Sequence, residues 1–380
     1  MSAAAELELF RDNVKRFLQE NIEPHYAKWE KDGITPRAMW NQFGEAGLLC
    51  VDAPAEYGGI GAPFEYSCVV LEEVGRAGYG ALAANLAVHS DIVCPYIAHL
   101  GTEEQKKKFI PKLVSGECVG AICMTEPGAG SDLQSIKTSA LPDGNGGYVI
   151  NGSKTFITNG QHADVCVVFT KTDPKAGAKG TTLFLVERSM PGFTRGRNLE
   201  KIGQHCGDTS ELFFADVKVP ASAILGRPGN GFGHLIDELP RERLTLAVHA
   251  IGASEGALAL TCDYVKNRKA FGSAVASFQN TRFELAQMKT DIEVHKAYVQ
   301  HCNTLYAAGK MDVTTAAMVK LATTELQFRV ADRCLQLFGG YGYMNEYPIS
   351  RFFCDARVQR IYGGTSEIMK EVIARSLVGR

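Results

Sequence analysis

Apolar positions in the first third of the chain recur with a helical period. In MSAAAELELFRDNVKRFLQE, Leu7, Phe10, Val14, Phe17 and Leu18 fall on one face, the pattern of an amphipathic helix. The stretch has no basic segment followed by an apolar one, so it does not read as a signal peptide. Glycine-bearing turns, EYGGIGAP at 56–63 and GRAGYG at 75–80, divide the helical segments up to about residue 120. In HLGTEEQKKKFIPKL (99–113), Thr102 is placed to cap a helix whose first turn carries Glu103 and Glu104, where the helix dipole favours carboxylates.

The character changes near residue 120. YVINGSKTFITNG (148–160) is made of short β-rich runs, with Asn151-Gly152 as a candidate two-residue hairpin turn. DVCVVFTK (164–171), TTLFLVE (181–187) and ELFFADVKV (211–219) continue the pattern. Strands this close, with no helical period between them, predict an antiparallel barrel or sandwich. From about 233 the helical period returns. The stretches 244–271, about 278–308 and 313–340 are long enough for a helix bundle. The fold class read from the pattern is α+β: an N-terminal helical domain over 1–120, a middle β domain over 121–228 and a C-terminal helical bundle over 229–380. No apolar run approaches the length of a bilayer span.

Composition narrows the function classes. Hydrophobic residues make up 45% and charged residues 22%, as in soluble globular proteins. Lys and Arg total 40 against 42 Asp and Glu, a net charge of -2, which leaves no general footprint for nucleic acid. A local basic groove for a phosphorylated ligand is compatible with that balance. The 11 cysteines form no C-x-x-C pair, and Cys68 and Cys166 sit in apolar runs. They read as reduced core thiols of a cytoplasmic protein, and no metal site is expected.

Five segments carry the chemistry: MTEPGAGSD (124–132), NGSKTFITNG (151–160), RKAFG (268–272), QLFGGYGY (336–343) and RIYGGTSEI (360–368). In order and register they resemble the signatures of the acyl-CoA dehydrogenases, over essentially the whole chain. The resemblance implies a helical domain, a middle β domain and a four-helix bundle. It also implies FAD, an acyl-CoA substrate oxidised to trans-2-enoyl-CoA, an electron-transfer flavoprotein as acceptor, and a homotetramer built as a dimer of dimers.

Such a reaction needs a base beside the substrate α carbon, donors for the developing enolate and a flavin facing the β carbon. Many family members carry the base as Glu in a Y-E-G-T motif. Here that stretch is Tyr362-Gly363-Gly364-Thr365, and glycine cannot take a proton. A branch that includes the long-chain and isovaleryl enzymes places the base in a motif ending E-R-L, which ELPRERL (238–244) matches at Glu242. The residues alone leave a second reading open. Glu242 follows Pro240, a residue favoured in first helical turns, where a carboxylate complements the helix dipole or pairs with Arg241 or Arg243. The glycine at 363, with the wider match, favours the base.

The resemblance assigns the remaining residues. The Gly364 N–H holds the thioester carbonyl. Met124 and Thr125 border the flavin ring, Ser131 lies near the FAD pyrophosphate and the CoA, and Phe156, Ile157 and Thr158 line the ring. Arg268, Phe271 and Gln279 reach the FAD of a neighbouring subunit. Gln336, Gly339 and Gly340 match a loop that contacts the adenosine diphosphate half of FAD, and Thr365 and Glu367 match contacts at the adenine end. Arg243 lies near the CoA phosphates or the base. Relatives of the long-chain type carry Tyr where this chain has Gly233, which leaves acyl chain length open between medium and long. An oxidase, a dehydrogenase of branched, aromatic or sterol-derived acyl groups, and a nucleic-acid-binding member of the family are the competing readings.

Overall fold

The computed structural model describes residues 2–379. Helices come first: α1 (Ala3–Asn21), α2 (Glu23–Asp32), α3 (Ala38–Glu45), α4 (Phe64–Arg76), α5 (Gly80–Leu86), α6 (Cys94–Leu100) and α7 (Glu103–Val114). Val14 and Leu18 of α1 are buried, with Leu7, Phe10 and Phe17 packed beside them, as the amphipathic pattern predicts. Thr102 caps α7 in a reciprocal box: its Oγ1 accepts from the Gln105 N–H at 3.3 Å, and Gln105 Oε1 accepts from the Thr102 N–H at 3.0 Å.

The middle region contains β1 (Gly120–Cys123), β2 (Ser139–Pro142), β3 (Gly147–Thr158), β4 (Val165–Lys171), β5 (Thr181–Glu187), β6 (Phe193–Asn198), β7 (Thr209–Pro220) and β8 (Ile224–Leu225). They form one eight-stranded sheet in the order β6-β7-β3-β2-β4-β5-β8, with β1 also on β4. The sheet is mostly antiparallel and open, while β1 and β2 meet β4 in parallel. The run in β4 is apolar throughout because both faces are covered. Val165, Val167 and Phe169 join the N-terminal helical core, and Cys166 and Val168 join the core on the other face. Asn151-Gly152 is not a hairpin turn. It is a bulge inside β3, where Asn151 Nδ2 donates to Asp216 Oδ1 at 3.0 Å and the Asp216 N–H donates to Asn151 Oδ1 at 2.9 Å. The side-chain pair ties the strand to β7 where two residues alone suggested a reversal.

The C-terminal region is α8 (Gly231–Asn267), α9 (Gln279–Ala307), α10 (Val313–Phe338), α11 (Pro348–Ala356) and α12 (Ser366–Val378). Pro240 lies inside α8, not in its first turn. It removes the N–H that would bond the Ile236 carbonyl, and packing on both sides carries the helix through. Two helical stretches, Gly80–Leu100 and Gly231–Asn267, are long and apolar enough by length and composition to cross a bilayer, which corrects the expectation from sequence. In each, 78% of the apolar window is buried inside the protein, so both are core helices.

Helix α8 is held to the N-terminal helices by backbone contact. A Cβ on Gly252 would lie 2.2 Å from the Glu72 carbonyl oxygen, and one on Gly256 would lie 2.0 Å from that of Arg76. Only glycine lets α4 and α8 cross this closely. Around the crossing, Arg11 bonds Glu72 at 3.0 Å, Arg76 bonds Glu255 at 2.6 Å and Lys296 bonds Glu255 at 2.8 Å. Gly256→Val should therefore force the helices apart and destabilise the fold by at least about 1–3 kcal/mol. Urea denaturation followed by circular dichroism reads this as a lowered midpoint; an unchanged midpoint would show that the crossing tolerates a side chain.

Candidate active site

Glu242 is 4% exposed, about three turns into α8 and beneath the N-terminal helices. Its flanking arginines are directed elsewhere. Arg241 bonds Asp52 at 2.5 Å and Asp91 at 3.0 Å, and stacks over Phe64. Arg243 leans toward the Gly363 carbonyl, its Nε 3.5 Å from the oxygen. The helix-dipole and ion-pair reading of Glu242 therefore fails: the residue is far from the N-terminus of α8 and has no ion-pair partner among the described residues. Its partner is the buried hydroxyl of Tyr96, which donates to Oε1 at 2.9 Å. Burial pushes the Glu242 carboxyl up to about 7; the Tyr96 hydrogen bond opposes the rise and nearby Glu238 adds to it.

A π-helical turn over Ala87–Val93 joins α5 to α6. The wider turn rotates α6 relative to its direction in a regular helix, and such turns recur at functional sites. Here Asp91 and Tyr96 both meet α8, at Arg241 and Glu242.

Gly363 and Gly364 form a turn before α12 and sit against the same face of α8. A Cβ on Gly363 would be 2.5 Å from Cδ1 of Leu246, one helical turn beyond Glu242. The space that a side chain at 363 would enter is thus filled from α8, the helix that carries Glu242. Gly363 has φ 64° and Gly364 φ 96°, left-handed conformations suited to glycine. Lys320 of α10, fully buried, donates from Nζ to the Gly364 carbonyl at 2.7 Å. Burial and then Arg243 lower the Lys320 pKa to about 8. Arg243 is buried as well, with Nη1 unpartnered and Nε toward the diglycine turn.

A second group gathers the loop after β1. The Met124 carbonyl accepts from Lys154 Nζ at 3.0 Å and the Thr125 carbonyl from the Thr155 N–H at 2.9 Å, which fastens the loop to β3. Lys154 also pairs with Glu126 at 2.9 Å in the interior. Beyond it the loop opens: Ser131 is exposed, and a Cβ on Gly128 or Gly130 would meet nothing within 4 Å. Phe156 stands 67% exposed beside this loop's anchor with φ 58°, and Thr158 is half-buried. Ile157 is 2% exposed and packs in the sheet core, so its side chain points away from the surface that Phe156 presents.

A third group lines a groove of about 600 Å³ at the far end of α8. Arg268, Gln336, Gly339 and Gly340, distant in sequence, meet there, with Arg268 5.2 Å above the Tyr341 ring. Phe271, 97% exposed at φ 51°, and exposed Gln279 lie on the same loop and helix start. Thr365 caps α12, accepting from the Ile368 N–H at 3.3 Å, and Glu367 occupies the first turn. No cluster of three or more His, Cys, Asp or Glu suited to a metal occurs among the described residues.

Three family models match the chain in sequence: the acyl-CoA dehydrogenase N-terminal domain over 4–117, the middle domain over 121–217 and the C-terminal domain over 229–378. The chain belongs to the acyl-CoA dehydrogenase family. It is 49% identical to the mitochondrial long-chain specific acyl-CoA dehydrogenase of Sus scrofa over 377 residues, 99% of this chain and 87% of that one. To the mitochondrial isovaleryl-CoA dehydrogenase of Solanum tuberosum it is 39% identical over 370 residues, 97% and 89% of the two chains. Among solved structures, an acyl-CoA dehydrogenase from Geobacillus kaustophilus is 50% identical with TM-score 0.95, covering 98% of each chain. A structure titled as the electron transferring flavoprotein of Acidaminococcus fermentans is 35% identical with TM-score 0.95, covering 100% of this chain and 99% of that one.

Acyl-CoA dehydrogenases are FAD-dependent enzymes that act on acyl-CoA, and this chain has surfaces that suit the cofactor. The open backbone at Gly128, Gly130, Gly339 and Gly340 leaves room that a Cβ would fill. Phe156 and Phe271 hold exposed aromatic rings on left-handed backbone, a conformation uncommon outside glycine.

Sequence reasoning missed Tyr96, Lys154 and Lys320. Both lysines are fully buried. Each interrupts an apolar or core-facing pattern, in NGSKTFI and AAMVKLA, and that was the available signal. Nothing local marks Tyr96.

The acidity of Glu242 generates a stability prediction. Folding keeps its proton up to about pH 7, whereas the ordinary carboxyl value is 4.5. Stability therefore falls as pH rises between those values and levels off above, where ionised Glu242 costs the fold about 3 kcal/mol. Glu242→Gln should melt higher than the wild type at pH 8, with the difference shrinking toward pH 5. A difference independent of pH would mean that the carboxyl is not held protonated.

Proposed function

We propose that this enzyme converts medium- to long-chain acyl-CoA to trans-2-enoyl-CoA with Glu242 as the base, and passes the electrons to an electron-transfer flavoprotein. The observation that carries the reading is a buried carboxyl with no ion-pair partner among the described residues, pushed up to about 7, on the helix against which the diglycine turn packs. A base near neutrality is ionised in part at working pH and takes a carbon-bound proton effectively.

In this reading the substrate α C–H bond breaks and its proton goes to Glu242. The electron pair moves onto the thioester carbonyl oxygen, where the Gly364 N–H donates to it. Bound FAD supplies the acceptor for the β hydride. Met124, Thr125, Phe156 and Thr158 border the flavin, with Ile157 contributing backbone, and Ser131 lies toward the pyrophosphate and the CoA. Arg243 acts on the turn from beneath. The chain-length reading is supported by the higher identity to the relative named long-chain specific, 49% against 39% for the isovaleryl one. The structure titled as an electron transferring flavoprotein supports the choice of acceptor.

Geometry also supports a homo-oligomer. Helix α8 rises about 1.5 Å per residue, so Arg268 lies about 39 Å along it from Glu242, too far for both to serve one FAD. The groove of Arg268, Gln336, Gly339 and Gly340, with Phe271 and Gln279, therefore suits the FAD of a neighbouring subunit. Thr365 and Glu367, beyond the turn, are assigned to the adenine end. The assembly in this reading is a homotetramer built as a dimer of dimers, as is usual in the family.

Anaerobic mixing of the FAD-bound enzyme with saturated acyl-CoAs of graded length and branching tests the reading. Medium and long straight chains should bleach the flavin fastest. Glu242→Gln should keep FAD and lose bleaching by about 10²- to 10⁴-fold, the range for a general base. Bleaching by the glutamine variant at the wild-type rate would move the base elsewhere, and preference for a branched chain would replace the substrate class.

A further inference from the structure

Two buried cations without an ion-pair partner among the described residues hold the diglycine turn that packs against α8. Lys320 is fully buried, and no Asp or Glu lies within ion-pair distance of it among the described residues. Arg243 is in the same position. A buried charge without a counter-ion is costly, and an apolar residue would suit the bundle interior better. Both cations meet carbonyls instead: Lys320 Nζ donates to Gly364 at 2.7 Å, and Arg243 Nε approaches Gly363 at 3.5 Å.

The consequence comes from peptide geometry. In a trans peptide the N–H points opposite to the C=O of the same unit. The Gly364 N–H belongs to the unit whose carbonyl is that of Gly363. Two successive glycines are the most permissive backbone available, so an untethered unit here rotates at little cost. Fixing one carbonyl on Arg243 and the next on Lys320 sets which way the N–H between them points. That N–H makes no hydrogen bond among the described residues, so it is available to a ligand.

We propose that Lys320 is a positioning residue for the dehydrogenation: it tethers the Gly364 carbonyl and so aims the Gly364 N–H at the thioester oxygen. The inference rests on the reading of Gly364 as the enolate donor. Lys320 touches neither the substrate nor the flavin; it acts through the turn. A merely structural tie between α10 and the turn would affect stability, not the charge that develops on the substrate.

The test uses the full-length, FAD-bound enzyme with two probes. One is a saturated acyl-CoA, whose flavin reduction gives kcat and KM. The other is a 3-ketoacyl-CoA, whose acidic α position ionises without oxidation. Its pKa when bound is read from the absorbance of its enolate. Lys320→Met should keep FAD and KM, lower kcat about 10- to 100-fold, and raise the bound ligand's pKa by about one unit, the equivalent of tenfold. Lys320→Arg should recover most of both. Should the methionine variant fail to hold FAD, the same two quantities measured on Lys320→Gln decide. Wild-type kcat and ligand pKa in the neutral variant would overturn the proposal, as would a change in KM alone. Glu242→Gln separates the two readings: it should abolish flavin reduction yet leave the bound ligand's pKa low. A wild-type enzyme that does not lower the ligand's pKa below its value in water would remove the Gly364 donor, and this inference with it, while leaving Glu242 as base.

Discussion

The structure depends on keeping one carboxyl buried and unpaired. Glu242 has an arginine on each side in sequence. In the fold, Arg241 is taken by Asp52 and Asp91, and Arg243 by the diglycine turn. A carboxyl bonded to a buried guanidinium would be held well below neutrality; Glu242 bonds only the Tyr96 phenol, and burial raises its pKa more than the nearby Arg243 charge lowers it. The bonds that hold the two arginines leave the Glu242 carboxyl without an ion-pair partner among the described residues.

Burying Glu242 needs a cover, which the α5–α6 segment supplies through Tyr96. Keeping the cover in register needs rigid attachment, and the glycine-mediated contact of α4 on α8 supplies it. The turn at Gly363-Gly364 closes the other side, with Leu246 filling the room that a side chain at 363 would need. A glycine at 363 and a glutamate at 242 are thus one arrangement, since both positions address the same face of α8.

Much of this was legible in the sequence. The α–β–α order follows from hydrophobic period, and the Thr102 cap from residue type. The motifs at 124–132, 151–160, 268–272, 336–343 and 360–368 carried the family. Local signals misled where a distant partner decided the outcome. Asn151-Gly152 has the composition of a hairpin turn, but pairing with Asp216 makes it a bulge. Pro240 has the look of a helix start, but packing carries α8 through it. Tyr96 and Lys320 act through single long-range hydrogen bonds, to Glu242 and Gly364, and no pattern along the chain encodes such pairs. The burial that shifts Glu242 is likewise a property of the assembled fold.

The most direct test of the account is the pH dependence of the rate at which a saturated straight-chain acyl-CoA reduces the bound flavin of the wild-type enzyme under anaerobic conditions. A buried, unpaired base predicts a rate that climbs with pH under the control of a single group titrating near 7, then levels off. A rate already at its plateau at pH 5.5, set by a group near the ordinary carboxyl value of 4.5, would contradict it.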